Sequence, residues 1–256
     1  MENLLDFPSG QALWYAVILL MASYIRGFSG FGFTAIFFAG LTFILPVIEI
    51  VPLSIALELT ASSAQMSGIL KHIKWRELGI LLATGITCTP IGVYLLGHID
   101  DQTLRLTALV FVFASSLYLV FWRARLRRFS PSMYALVGSA IGVINGATAL
   151  SGLVLALFFS FSNERAAEMR ATMIFYLFAA DVWAFFLLIE AGYYDSVSII
   201  RAVASLPLLA IGLWLGTRHF AAVGAESYRT IVLWLLLLLS TAGLVGVFTT
   251  LPNLGQ

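Results

Sequence analysis

Apolar residues run along this chain in long blocks, separated by short polar or glycine-rich interruptions. The blocks fall at 11–28, 31–45, 50–70, 78–97, 103–122, 132–148, 151–162, 170–190, 197–216 and 229–249. The period-two alternation of a β-barrel is absent. A bilayer has no water to satisfy an open strand edge, so blocks of this kind form helices. Six or so approach the ~20 residues that span ~30 Å of hydrocarbon. Blocks 31–45 and 151–162 are short, and the blocks before them are marginal.

The pattern repeats. Residues 11–122 and 132–249 each hold a short pair followed by three full-length blocks, at an offset of about 120. Ile91-Gly92-Val93-Tyr94-Leu95 matches Ile211-Gly212-Leu213-Trp214-Leu215, and Arg26-Gly27 matches Asn145-Gly146. Each half makes an odd number of crossings, so the second copy is inverted. The expected fold is an all-α polytopic membrane protein of two inverted-topology repeats, each of about five segments and each opening on a short Gly-interrupted hairpin. The expected organisation is an external segment 1–10, a first repeat 11–122, a basic cytoplasmic linker 123–131, a second repeat 132–249 and an external tail 250–256.

Charge sets the orientation. Lys71, Lys74 and Arg76 form one basic cluster and Arg123, Arg125, Arg127 and Arg128 another, with two crossings between them. The positive-inside rule places both in the cytoplasm. Arg165, Arg170, Arg218 and Arg229 then also fall inside, and 11 of the 14 basic residues sit in cytoplasmic loops. Arg105 and Arg201 fall outside, and Arg26 lies in an apolar hairpin. Both termini are therefore expected outside. The N-terminal ten residues carry no Lys or Arg, so the first block reads as part of the fold rather than as a signal peptide.

Composition excludes the soluble classes. Of 256 residues, 61% are hydrophobic and 11% charged, where soluble chains run near a quarter charged. Fourteen basic residues against 13 acidic ones leave no basic face for nucleic acid. A lone cysteine, Cys88, forms no internal disulfide, and no metal-ligand spacing is present. No cofactor is implied.

Inverted repeats with short, Gly-interrupted segments at matching positions point to a transporter's binding site. The two interruptions are Arg26-Gly27-Phe28-Ser29-Gly30-Phe31-Gly32 and Asn145-Gly146-Ala147-Thr148-Ala149-Leu150-Ser151-Gly152. Each reads as a hairpin whose tip lies within the membrane, the two tips being reached from opposite faces. The segment leaving each tip presents unpaired N–H groups, which suit an anion. The alternative is that these glycines serve close helix packing.

With Lys71-His72-Ile73-Lys74-Trp75 and Pro90-Ile91-Gly92, these stretches resemble the sulfite exporter TauE/SafE family over nearly the whole chain. The resemblance implies a bacterial inner-membrane carrier of sulfite or other small sulfur-containing anions such as organosulfonates. Many members carry a Gly-Gly-Pro-Pro-like stretch after the second motif, where this chain has Ser151-Gly152-Leu153-Val154.

Three charges remain in the apolar mass. Arg26 stands near the first tip, and its planar fork suits sulfite or sulfonate oxygens; the alternative is an arginine that snorkels to the interface. Glu58 stands on one helix face with Ser54, Ser62 and Gln65, and Asp181 lies about one turn from its matching position. Both acids are candidates for proton coupling, or else are paired with buried donors. The candidate substrate-binding set is Arg26, Gly27, Ser29, Gly30, Gly32, Asn145, Gly146, Thr148, Ser151 and Gly152; the candidate pathway set is Glu58, Ser62, Gln65 and Asp181. Thr84, Thr87 and Cys88 precede Pro90 and read as residues that satisfy the backbone its ring frees, with Pro207 in the matching place. His72 reads as a solvated loop residue, and Phe28, Phe31 and Phe33 as packing.

The leading function is a secondary transporter, an exporter of small sulfur-containing anions, working by alternating access of the two repeats with or without protons. A channel is the alternative. An intramembrane enzyme is disfavoured because His72, His98 and His219 all fall at loop ends, away from any buried nucleophile or acid.

Overall fold

A computed structural model describes residues 8–66, 69–121, 129–161 and 166–222, with isolated positions between 234 and 245. Every regular element among them is helical. The α-helices are α1 (Ser9–Ser29), α2 (Phe33–Leu41), α3 (Val47–Gln65), α4 (Trp75–His98), α5 (Asp101–Phe121), α6 (Pro131–Thr148), α7 (Ser151–Ser160), α8 (Ala166–Glu190) and α9 (Ser196–Ala222). A single 3₁₀ turn, Leu70–His72, precedes α4. Most of the apolar block at 229–249 and most of the basic linker at 123–131 lie outside the described residues.

Six helices are long and apolar enough to cross a bilayer: α1, α3, α4, α5, α8 and α9. Their outward faces carry large apolar side chains in the open, among them Leu13, Ile91, Tyr94, Val203, Ile211 and Trp214. A soluble protein would bury such a surface; lipid accepts it. The short helices do the reverse. All nine residues of α2 are buried, and α7 buries Leu153, Leu155, Phe158 and Phe159. A helix apolar on every side belongs in a core. Accordingly one apolar cluster gathers around Phe33, Ile36 and Phe37 of α2, and another around Leu155, Phe158 and Phe159 of α7.

Several block boundaries differ from the sequence expectation. The block at 50–70 is helical over Val47–Gln65, since Pro46 and Glu49 belong to a helix start rather than a loop. The block at 170–190 begins earlier, at Ala166, which draws Arg170 out of the expected loop and into α8. Ser130 caps α6 by accepting from Met133 N–H, with Pro131 in the first turn.

The most extensive packing joins the two halves: α4 lies against α6, and α1 against α9. Glycines let these backbones touch. A Cβ added to Gly27 would collide with Leu213 O, and one on Gly146 would collide with Thr89 O and lie 2.6 Å from Val93 N. Val93 and Leu213 stand 120 apart, so the two contacts are counterparts. At the centre, α3 packs against α8.

Pro90 corrects one expectation. Thr84 donates to Ile80 O and Thr87 to Ala83 O, so neither reaches the carbonyl that the proline ring frees. That carbonyl, Ile86 O, accepts from Trp183 Nε1 of α8 at 3.0 Å. An indole four helices away, not a local hydroxyl, repairs the break.

Candidate functional site

The first tip is a two-glycine turn. α1 stops at Gly30, which adopts φ 79° and donates to Arg26 O at 2.9 Å. Gly32, with φ 87°, opens α2. Both conformations favour a residue without Cβ. The Ser29 hydroxyl lies 2.8 Å from Ile25 O and 2.6 Å from Phe31 O, so it fastens the turn. At the second tip Ala149 takes the left-handed conformation, φ 58°, and donates to Asn145 O at 2.9 Å. Thr148 donates to Ile144 O.

The two helices that leave these turns meet. A Cβ on Gly152, in the first turn of α7, would lie 3.8 Å from Gly32 N at the start of α2. Neither α2 nor α7 has a side-chain cap. Two positive helix ends therefore face one another inside the protein. Ser151, at the head of α7, is buried and its hydroxyl has no hydrogen-bond partner.

Arg26 is fully buried. Its Nη2 donates to Ser62 Oγ at 2.6 Å and its Nε lies 3.5 Å from Glu58 Oε1. Its Nε and Nη1 make no hydrogen bond. Burial excludes the snorkelling alternative in this conformation. Glu58 Oε2 accepts from Thr34 Oγ1, in the first turn of α2. Glu58 thus ties Arg26 to the helix end that confronts α7. Ser54, Glu58, Ser62 and Gln65 are all buried, as the shared face of α3 implied. Asp181 accepts from Asn145 Nδ2 at 3.2 Å and lies within electrostatic reach of both Glu58 and Arg26.

These pairs share a register. Arg26 and Ser62 are 36 residues apart, and so are Asn145 and Asp181. The counterpart of Asp181 is therefore Ser62, one turn along α3 from Glu58.

Of the residues singled out in sequence, the structure brings Arg26, Glu58, Ser62, Asn145 and Asp181 into one buried polar group. Gly32, Ser151 and Gly152 lie at the two helix ends. Gly27 and Gly146 sit at helix crossings, in agreement with the packing alternative. Ser29 and Thr148 direct their hydroxyls at backbone carbonyls. Gln65 donates to Gly27 O at 3.3 Å.

Sequence reasoning missed Arg170 and two ion pairs. Arg170 presses its side chain on Gly30, where a Cβ would lie 2.8 Å from Arg170 Cγ, and it donates to Gly27 O at 3.2 Å. Glu49 of α3 pairs with Arg201 of α9 at 2.5 Å, and Glu168 of α8 pairs with Lys74, just before α4, at 3.5 Å. Glu49 and Glu168 are 119 residues apart, a spacing that could have flagged them. Each pair joins one half of the chain to the other. The end of α3 and the start of α8 share Gly27 O, so the two helices run antiparallel and the ion pairs lie at opposite ends of the bundle.

A family model described as Sulfite exporter TauE/SafE matches residues 15–242, and the chain belongs to that family. The family is one of membrane transporters that export sulfite and related anions, so the enzyme alternative falls away. No curated protein and no solved structure matches the chain.

Proposed function

We propose, taking membership of the TauE/SafE exporter family as the premise, that this protein is a secondary transporter of small sulfur-containing anions, sulfite or an organosulfonate, in the bacterial inner membrane. The observation that carries the reading is Arg26: fully buried, with Nε and Nη1 lacking hydrogen bonds, and linked through Glu58 to the N-terminus of α2, which meets that of α7. A guanidinium and two positive helix ends form an environment for a tetrahedral or pyramidal oxyanion. Ser151 supplies a further donor, and the amides at Gly32 and Gly152 supply the backbone ones.

Charge counting supports proton coupling. Arg26 offers one positive charge to Glu58, Asp181 and the incoming anion. In a region walled from water, an anion joins two carboxylates only when protons neutralise them. Glu58 Oε1 lies 3.5 Å from Arg26 Nε, so an anion taken up by Arg26 competes with that carboxylate for one cation. Protonation of Glu58 releases Arg26 to the substrate.

Alternating access follows from the paired halves. The common spacing of Arg26–Ser62 and Asn145–Asp181, and the matched α1–α9 and α4–α6 crossings, support two inverted repeats around the α3–α8 centre. Glu49–Arg201 and Glu168–Lys74 then close opposite ends of the path. Orientation by the basic loops puts Glu168–Lys74 at the cytoplasmic end, with both termini outside.

The test is tracer sulfite flux in proteoliposomes. A carrier saturates with concentration, and Glu58→Gln with Asp181→Asn abolishes acceleration by a pH gradient. Flux that rises without saturation marks a channel, and full pH-gradient dependence in the double variant removes the coupling role.

A further inference from the structure

Three buried oxygens near the α3–α8 centre have no hydrogen-bond partner: Asn145 Oδ1, Asp181 Oδ2 and Ser54 Oγ. Asn145 Nδ2 donates to Asp181 Oδ1 at 3.2 Å, so the remaining oxygen of each group stands beside that bond with nothing to accept from. Ser54 is level with Asp181. Gln65 of α3 and Arg170 of α8 converge on Gly27 O, and eleven residues along each antiparallel helix, about three turns, come Ser54 and Asp181. The same two faces therefore meet again. Tyr194 marks this level: its hydroxyl donates to Pro52 O at 2.8 Å, and it feels the charge of Asp181. A buried helical serine ordinarily returns its hydroxyl to the carbonyl four residues back, as Ser23 and Ser205 do; Ser54 does not.

A helix end adds further oxygens. α6 stops at Thr148, inside the protein, and Asn145 stands in its last turn. Ala149 N–H satisfies Asn145 O, while carbonyls 146–148 have no donor within the helix. This is the negative end of the helix dipole. The charge there is also negative. Arg26 lies 3.5 Å from Glu58 and serves that carboxylate first, and Glu58 bears on Asp181 as a second anion. The Arg26–Ser62 pair brings its own cation, whereas Asn145–Asp181, with the same 36-residue spacing, has a neutral amide in that place. A carboxylate, neutral oxygens and helix-end carbonyls are the ligands that a hard cation takes, and broken helices of transporters hold sodium in this way.

We propose that Asp181 Oδ2, Asn145 Oδ1 and Ser54 Oγ form a binding site for a monovalent metal cation of sodium size. The ion takes the place of a proton at Asp181, while Glu58 keeps the proton that releases Arg26. One carboxylate matches one positive charge; a divalent ion would need a second, and Glu58 is held by Arg26 and Thr34. The site stands on its own oxygens, and its service to transport rests on the transport reading. Only Ala149 and Leu150 separate the end of α6 from the start of α7. A cation at the first and an anion at the second therefore favour each other, so that each raises the affinity for the other.

The test is equilibrium binding of radioactive sodium to the purified full-length protein without sulfite, in choline chloride that holds ionic strength constant, with melting temperature recorded alongside. Wild type is expected to bind sodium saturably and to melt higher as sodium replaces choline. Asp181→Asn abolishes both. Ser54→Ala, which removes one neutral oxygen, weakens binding about tenfold, the weight of one polar group set against a charge. Its melting temperature in choline stays near that of wild type, so it decides the matter where Asp181→Asn fails to fold. A wild type that binds no sodium, or wild-type affinity in either variant, overturns the proposal and leaves Asp181 to a proton. Sulfite flux in proteoliposomes separates the two readings. Saturable flux without sodium binding overturns this inference alone, and sodium binding without flux overturns the transport reading while the site stands.

Discussion

At the first tip α1 sets a cation, Arg26, against Ser62 of α3; at the second, α6 sets neutral Asn145 against an anion, Asp181 of α8. Both pairs span 36 residues, with the charge on the hairpin in the first and on the long helix in the second. The turns differ as well. The first uses Gly30 and Gly32 at positive φ, and the second forces Ala149 into the left-handed region. The comparison separates what the architecture requires from what the chemistry requires. The crossings and the register are shared, whereas the arginine, its Glu58 partner and the neighbouring Arg170 are private to the first tip.

The shared part breaks most severely at the crossings. Gly27→Ala and Gly146→Ala place a Cβ on the backbone of α9 and α4, respectively, where no side chain can rotate away. Each is expected to cost about 3 kcal/mol or more, with a comparable fall in melting temperature for the two variants. A large loss at one position with none at the other would show that the crossings are not equivalent. The turns should diverge. Ala149→Gly relieves a left-handed alanine and is expected to stabilise by about 1 kcal/mol, while Gly30→Ala destabilises, having both φ 79° and Arg170 Cγ 2.8 Å away. Melting curves of the two variants decide it; a destabilising Ala149→Gly would deny the strain.

The smallest effect distinguishes the starts of the matched helices α4 and α9. Lys74 gives α4 no side-chain cap, whereas Asp195 caps α9 by accepting from Ser198 N–H at 2.7 Å. The Ser198 hydroxyl and N–H hold the Asp195 carboxyl below its ordinary range. A carboxyl depressed in the folded state stabilises fully above its unfolded value, about 4, and loses that contribution as pH falls through the folded value. Asp195→Ala is therefore expected to lower stability by about 0.5 kcal/mol at neutral pH, with the gap to wild type closing below pH ~4. A gap that persists into acid would contradict the cap.

Much of this arrangement was legible in the sequence. The Gly-interrupted stretches became the two turns, and the Ser54–Glu58–Ser62–Gln65 face is buried against the rest of the group. Arg26 and Asp181 stood out because charge is costly in lipid and so rare there. Other parts were hidden for physical reasons. Arg170 counts as a loop residue in any hydropathy reading, because Glu168 and Arg170 dilute the first turns of α8; only its approach to Gly30, 140 positions away in sequence, gives it a role. Glu49–Arg201 and Trp183–Ile86 O likewise join residues that local pattern cannot relate. The Glu58–Arg26 contact lay between the two, since both residues were marked and one alternative paired the acids with buried donors, but only the 3.5 Å separation identifies Arg26 as the donor beside Glu58.

The central claim is that Arg26 is the anion's cation and that Glu58 competes for it. Equilibrium binding of sulfite to purified wild type, Glu58→Gln and Arg26→Ala/Glu58→Gln tests this directly, the double substitution sparing the Glu58 carboxylate the loss of its buried partner. Glu58→Gln should bind more tightly than wild type and lose most of the pH dependence, while the double variant should lose about 100-fold in affinity, near the upper range for a charge-assisted hydrogen bond. Wild-type affinity in the double variant would contradict the account.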